Sequence, residues 1–173
     1  MTAVGVVAAS AGGVEKLREG LVQPLLDDGH QVAIILTPTT AMWLDHIGER
    51  QRLADITGLP VRSDPRLPGE SSPHPKIDVY VGAPMTANST AKLALGIADN
   101  QALAALCENV GTTPMIIFPR INPAPRASAV WSSHIAGCDL SARTDLWRRR
   151  LAPCRAASCR AARSSLACDP DRG

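Results

Sequence analysis

The chain has 173 residues, of which 45% are hydrophobic and 20% charged, the composition of an ordinary globular protein with one domain. Its 18 basic and 16 acidic side chains give a net charge of only +2, which indicates neither a nucleic-acid partner nor a membrane surface. No apolar run approaches the about 18 residues of a membrane span, and the first residues lack the basic segment of a signal peptide. We therefore expect a cytoplasmic protein with reduced thiols.

The first predicted unit is a strand, a turn and a helix. Small and β-branched apolar residues run without interruption from Ala3 to Ala9, as in a central parallel strand. The turn Ser10–Gly13 lacks the G-x-G-x-x-G pattern of dinucleotide-binding folds but leaves room for a ligand. Apolar residues at helical spacing follow, and Pro24 should kink or interrupt that helix because proline has no N–H to donate.

The second predicted unit begins with a strand over Gln31–Leu36 and continues as a helix from about Ala41 to Ile56. The threonines at positions 37, 39 and 40 lie between this strand and this helix. They can cap the helix or can offer hydroxyls to a phosphate. Five prolines then mark residues 58–75 as a loop. His74, at the end of the loop, is either an acid/base near a cofactor or an exposed loop histidine.

The stretch from Asp78 to Asn100 is the most informative part of the sequence. An apolar strand starts at Val79, Pro84 should end it, a polar turn follows, and a helix is expected from Ala91. A strand, a polar turn and a helix N-terminus together are typical of a cradle for an anionic cofactor.

The last predicted elements are a helix over residues 101–110 and a short strand from Pro114 to Phe118, which Pro119 should end. The sequence thus contains four apolar β-runs separated by helices, without hairpin signals. This order predicts an α/β fold, a Rossmann-like, doubly wound parallel sheet with helices on both faces.

The central stretch resembles the motif of the flavin-containing cysteine decarboxylase family, which includes phosphopantothenoylcysteine and peptidyl-cysteine decarboxylases. The family pattern P-A-[ST]-A-N-T stands here as P-M-T-A-N-S-T at residues 84–90, and its G-[IM]-x-D-[ND] ending as residues 96–100. A second family motif, P-x-M-N, corresponds to residues 119–122. The resemblance implies a flavodoxin-like fold, bound FMN, a cysteine-containing small-molecule or peptide substrate, and a homo-oligomer built from trimers.

The resemblance also implies roles for individual residues. His74 would be the acid/base, and Asn122 would hold the substrate carboxylate. The residues implied to bind FMN are Ser10, Gly12, Thr37, Thr39, Pro84, Thr86, Ala87, Asn88 and Asp99. Of these, the serine and the two threonines would face the phosphate, and positions 86–88 would line the flavin.

The chain departs from the family pattern on both sides of the central motif. Only nine residues separate His74 from Pro84, which leaves no room for the short helix that the family places there. Ile121 replaces the methionine of the second motif. Oxidative decarboxylation of a cysteine-containing substrate therefore stands beside two alternatives: a catalytically silent flavin-binding or assembly subunit, and a flavin prenyltransferase, which we rank lower.

The C-terminal residues have a different composition. Residues 143–173 contain eight arginines and three acidic residues, and four of the five cysteines lie at or after Cys138. No C-x-x-C pair is present and aromatic residues are scarce, so the sequence indicates neither a metal site nor a nucleic-acid arm. We expect an FMN-binding domain over residues 1–137 and an irregular or frameshifted basic tail over residues 138–173.

Overall fold

The structure is a computed structural model that describes residues 1–120. The second motif beyond position 120, including Asn122, and the basic tail from residue 138 lie outside the described residues. Expectations about them, including the domain boundary at residue 137, therefore stay predictions.

Four parallel strands form one sheet. The strands are β1 (Ala3–Ala8), β2 (Gln31–Leu36), β3 (Val79–Thr86) and β4 (Met115–Arg120). Their order is β2-β1-β3-β4, so that β1 lies between its successor in the chain and β3. Val4 of β1 pairs with Val32 on one side and with Val79 on the other. The predicted parallel α/β fold is confirmed.

Helices cover both faces of the sheet. A 3₁₀ turn (Val14–Lys16) and a π-helical turn (Arg18–Val22) precede α1 (Gln23–Asp27), α2 (Pro38–His46), α3 (Glu49–Thr57), α4 (Ala87–Ala94) and α5 (Gln101–Cys107). Leu103 and Leu106 of α5 pack with Val7 and Ile35 on one face. The residues that alternate with Val7 and Ile35 along β1 and β2 point to the other face, where α1, α2 and α3 contact β2.

Pro24 interrupts the first helix, as the sequence predicts. Because proline offers no N–H to the preceding turn, the chain forms the π-helical turn before it and restarts as α1 with Pro24 in its first turn. The single helix expected over residues 41–56 is wrong. It begins earlier, at Pro38, and divides at Gly48, whose φ of 69° is a left-handed conformation that suits glycine.

The expectation that Pro84 and Pro119 end their strands is also wrong. β3 continues to Thr86, and Pro119 pairs with Met85 after a shift in register between Gly82 and Met85. An irregular pairing of this kind tolerates proline because the missing N–H is not needed there. The carbonyl of Pro84 still accepts a hydrogen bond, from the N–H of Ala9 at 2.8 Å.

The helix after β3 also differs from the expectation. It starts at Ala87 instead of Ala91 and ends at Ala94. Gly96, with φ of 70°, ends this helix. Its N–H donates to the carbonyl of Leu93 at 3.1 Å, and the N–H of Ile97 donates to the carbonyl of Lys92 at 2.8 Å. The predicted helix over residues 101–110 is separate and shorter.

A nearly buried carboxylate joins the π-helical turn to α3. Glu49 is 8% exposed and accepts hydrogen bonds from Arg18 Nε at 3.0 Å and from Arg52. Burial by itself raises the pKa of Glu49, but the hydrogen bonds from the two arginines outweigh it, so that the pKa is lowered. The carboxylate therefore stays ionised and stabilises the folded chain at neutral pH.

Among residues 1–120, no helix combines the length and the apolar character that crossing a membrane requires.

Candidate functional site

The carboxyl ends of β1 and β3 meet at one edge of the sheet. The hydrogen bond from Ala9 to the carbonyl of Pro84 joins the segment after β1 to the last residues of β3. From β1 the chain passes to β2 on one side, whereas β3 leads to β4 on the other. Such a switch point opens a crevice at the carboxyl ends of the strands, which is where open α/β sheets bind ligands.

The turn after β1 has backbone N–H groups that no other part of residues 1–120 uses. The N–H of Ala11 bonds the carbonyl of Ala9 at 2.7 Å, whereas those of Ser10 and Gly12 make no hydrogen bond within the described residues. Gly13, with φ of 96°, donates its N–H to Glu15 Oε2 at 3.2 Å. A carboxylate thus already lies against this turn, as expected where N–H groups favour an anion.

Two threonine hydroxyls lie at the neighbouring end of β2. Thr37 is buried, and its N–H bonds the carbonyl of Ala8, which keeps it next to the end of β1. It occupies the N-cap position of α2, yet its hydroxyl makes no capping bond and instead lies 2.8 Å from that of the fully buried Thr40. Thr39 is exposed. The sequence gives Thr40 the same two possible roles as Thr37, a helix cap or a phosphate contact, whereas the family resemblance does not include it among the FMN-binding residues.

Thr86 forms the N-terminal cap of α4. Its hydroxyl accepts the N–H of Ser89 at 3.1 Å and donates to Ser89 Oγ at 2.9 Å. Thr90 returns a bond to the Thr86 carbonyl at 2.9 Å. Ser89 is buried, and sequence reasoning missed it, although a Thr-x-x-Ser spacing is a visible capping signal.

The residues that follow the cap present small and polar groups. Ala87 opens α4, and Asn88 is exposed with a side chain that makes no hydrogen bond within residues 1–120. The structure therefore brings Ser10, Gly12, Thr86 and this Asn88 segment to one edge of the sheet.

Asp99 lies at the other end of α4. It pairs with Lys92, and this hydrogen bond lowers the pKa of its exposed carboxylate. Lys92 is about 9 Å further along the helix axis than Thr86, at about 1.5 Å per residue. Asn100 caps α5 by accepting the N–H of Leu103 at 3.1 Å. Within the described part of the chain, both polar residues have structural partners.

His74 lies beside β2. Its Nε2 is 2.7 Å from the carbonyl oxygen of Pro60, and its N–H bonds Ser72 Oγ. Burial lowers the pKa of His74, the bond to Pro60 opposes that shift, and the charge of Arg62 adds to it. Arg62 in turn bridges to Ile35, in a strand that borders β1 and not β3. Among the hydrogen bonds of residues 1–120, none joins His74 to Ser10 or Thr86.

No family model and no curated protein matches this sequence. Solved structures do. The FMN-dependent cysteine decarboxylase SpaF has a TM-score of 0.61 at 19% identity, over 79% of this chain and 78% of its own. HAL3 from Cryptococcus neoformans reaches 0.63 at 19% identity over 79% of each chain. The peptidyl-cysteine decarboxylase EpiD reaches 0.57 at 20% identity, over 79% of this chain and 80% of its own.

The chain has the fold of the FMN-dependent cysteine decarboxylases. At these identities the likeness concerns the fold alone, and any ligand has to be inferred from the residues of the site.

The crevice of this decarboxylase fold fits FMN in its chemistry. A phosphate needs hydrogen-bond donors, and the Ser10–Gly13 turn offers N–H groups and a hydroxyl, next to Thr37. The isoalloxazine ring needs a close approach of the backbone, which Ala87 permits. In flavodoxin-like sheets of this strand order, FMN lies between the ends of the strands corresponding to β1 and β3.

Proposed function

We propose that the chain is a flavoprotein that binds FMN between the carboxyl ends of β1 and β3. We further propose that it oxidatively decarboxylates a cysteine-containing substrate, either a small molecule or a peptide. The FMN proposal rests on the Ala9–Pro84 hydrogen bond, which joins the ends of β1 and β3. On the β1 side of this junction, the N–H groups of Ser10 and Gly12 make no hydrogen bond within residues 1–120, and on the β3 side Thr86 caps α4.

The protein residues have separate tasks in this proposal. The N–H groups of Ser10 and Gly12, with the hydroxyls of Thr37 and Thr39, bind the phosphate dianion without a basic side chain. Thr86, Ala87 and Asn88 would line the flavin ring, and Pro84 would belong to the same site at the end of β3. The resemblance to the decarboxylase motif adds Asp99 to the neighbourhood of the site and Asn122 as the group that holds the substrate carboxylate.

FMN, when bound, would supply the redox chemistry by accepting a hydride equivalent, two electrons and one proton, from the thiol-bearing carbon of the substrate. The chain has to hold the substrate carboxylate, exclude water and provide an acid/base. His74 is the predicted acid/base, and its ring would have to leave the Pro60 carbonyl to act in a flavin site.

The absorption spectrum of the full chain as purified tests the FMN proposal. We expect a yellow protein, with FMN identified by mass after heat release, and binding of added FMN to any flavin-free fraction. Asn88→Ala should weaken FMN binding without loss of stability, since the side chain is exposed and makes no hydrogen bond within residues 1–120. Gln51→Ala, an exposed amide on α3, is the matched control. A colourless protein that does not bind added FMN would refute the proposal.

A catalytically silent flavin-binding subunit is the second candidate, and the position of His74 favours it. The ring is bonded to Pro60 beside β2, whereas the crevice lies between β1 and β3. Incubation of the FMN-loaded chain with cysteine-terminated peptides and with phosphopantothenoylcysteine separates the two candidates. A product lighter by carbon dioxide and two hydrogens, lost in His74→Gln, supports the decarboxylase; an unchanged substrate supports the silent subunit.

We also propose that the protein assembles as a homo-oligomer built from trimers, as the resemblance implies. Light scattering on the purified full chain measures the mass directly, and a monomer at micromolar concentration would contradict this proposal.

A further inference from the structure

The proline-rich loop over residues 60–74 contains a cleft of about 570 Å³. We name it the loop cleft. Its walls include Pro60, Pro65 and Pro73, and every described residue that lines it belongs to this loop. The volume is within the range of ligand sites, about 300–1,000 Å³.

Hydrogen bonds hold the loop in shape around the cleft. At its base, the carbonyl of Arg62 accepts the N–H of Leu36 from β2 at 2.7 Å. At its tip, the N–H of Leu67 donates to Glu70 Oε2 at 2.9 Å, and Arg66 Nη1 donates to the carbonyl of Glu70 at 3.0 Å. A cleft that is formed before its ligand arrives lowers the entropy cost of binding.

Two guanidinium groups in the loop cleft have no carboxylate partner among residues 1–120. Arg62 Nη2 donates to the carbonyl of Asp64 and Arg66 Nη1 to that of Glu70, each at 3.0 Å, and their other N–H groups make no hydrogen bond within the described chain. Three other arginines in this part of the chain each form an ion pair with a carboxylate, namely Arg18, Arg50 and Arg52. The two arginines of the cleft can therefore bind carboxylates of a ligand, to which a guanidinium donates two parallel hydrogen bonds.

The carboxylates that line the loop cleft are partly used by the loop itself. Asp64 Oδ2 accepts the hydroxyl of Ser63 at 2.7 Å, and Glu70 Oε2 accepts the N–H of Leu67. The second oxygen of each makes no hydrogen bond within residues 1–120, so the cleft offers acceptors as well as donors. A phosphate dianion would be repelled by these oxygens, whereas a peptide carries N–H donors for them beside acidic side chains for the arginines.

We propose that the loop cleft binds an acidic segment of a peptide. Two acidic side chains of the peptide bind Arg62 and Arg66, its N–H groups donate to Asp64 and Glu70, and the proline rings pack against its apolar atoms. The inference goes beyond the proposed function and does not depend on it, because the lining of the cleft includes no residue of the proposed flavin site.

Fluorescence anisotropy of the full chain with two labelled peptides tests the inference. One peptide alternates Glu and Ser, and the other carries Gln in place of Glu. The acidic peptide should bind at least about tenfold more tightly, and Arg66→Gln should weaken it about tenfold because a charge-assisted contact is lost. Lys16→Gln removes an exposed cation outside the loop and should change the affinity less than about twofold.

Ser71→Glu is a second variant that keeps the hydrogen bonds of the loop. Ser71 lines the cleft, is exposed, and has a side chain without a hydrogen bond in the described chain. A carboxylate at this position should compete for the arginines and weaken the acidic peptide about tenfold, whereas Ser71→Ala should leave its affinity unchanged.

Several results would overturn the inference. Equal affinity for the two peptides, or no binding of either, excludes an acidic-peptide site. An affinity that neither Arg66→Gln nor Ser71→Glu changes would assign the attraction to the eight arginines of residues 143–173. An equal effect of Lys16→Gln and Arg66→Gln would reduce it to net charge. Tighter binding of inorganic phosphate than of the acidic peptide, lost in Arg66→Gln, would make the cleft a phosphate site instead.

Discussion

The hydroxyl of Thr86 supports the start of α4 by two hydrogen bonds, and its removal should be measurable. Thr86→Val keeps the shape of the side chain but removes both the acceptor of the Ser89 N–H and the donor to Ser89 Oγ. Loss of an N-cap costs about 1 kcal/mol, and a buried polar group left without its partner costs about 1 kcal/mol more. We expect a loss of about 2 kcal/mol, or about 4–8 °C in Tm for a chain of this size.

Two matched variants divide this loss. Thr86→Ser keeps the hydroxyl, so that its cost should stay below about 1 kcal/mol. Ser89→Ala keeps the capped N–H but removes the second bond, at about 1 kcal/mol. Urea unfolding followed by far-UV circular dichroism measures all three. The order Thr86→Val, then Ser89→Ala, then Thr86→Ser is expected from largest to smallest loss; equal stability of the valine and serine variants would refute the capping argument.

Three further predictions concern other parts of the described chain. Glu49→Gln should lower the free energy of unfolding at pH 7, because the pKa of Glu49 is lowered in the folded chain. The difference in stability between the parent and the variant should persist above about pH 4.3 and shrink as the pH falls through the folded pKa, and acid unfolding curves measure it. Glu15→Gln should tighten FMN binding about two- to fivefold at low salt, since it removes the charge held at Gly13, and dialysis at high salt should abolish the gain. Gly5→Ala places a Cβ 2.7 Å from the Tyr80 ring and should cost about 1–3 kcal/mol in urea unfolding.

The strands were predictable because their residues carry the signal locally. Runs such as Ala3–Ala8 and Gln31–Leu36 are buried along nearly their whole length, and only strands covered on both faces need such uniform apolar sequences. Their parallel order followed from the helical segments between them. The amino acid pattern thus determined the fold class before any pairing was known.

The errors at Pro84 and at the start of α4 have a common cause. Proline reveals a missing N–H, but whether the strand needs that N–H depends on the register with β4, which the local sequence does not show. The helix start was placed by its apolar residues at Ala91, whereas the Thr86–Ser89 cap fixes it four residues earlier. Capping chemistry, and not hydrophobic period, sets the boundary here.

The position of His74 could not be derived from its neighbours in sequence. It is only five residues before β3, which suggested the mouth of the site, yet the preceding loop pairs with β2 through Arg62 and Ile35. A parallel bridge between residues so far apart in the chain leaves no local pattern. The bond to Pro60 then fixes the imidazole on that side of the sheet.

In the proposed function, flavin binding and the decarboxylation chemistry are separable. The elements of the proposed flavin site are local: a turn directly after β1 and a cap directly after β3, each encoded within a few residues and joined by one backbone bond between Ala9 and Pro84. A decarboxylase needs in addition an acid/base that reaches this junction from another part of the fold. Such a group can be displaced without disturbing the proposed flavin site, since neither β1 nor β3 uses His74 in its pairing. A chain of this fold could thus keep its flavin after losing its reaction, and only the pairing of a binding assay with a product assay separates those states.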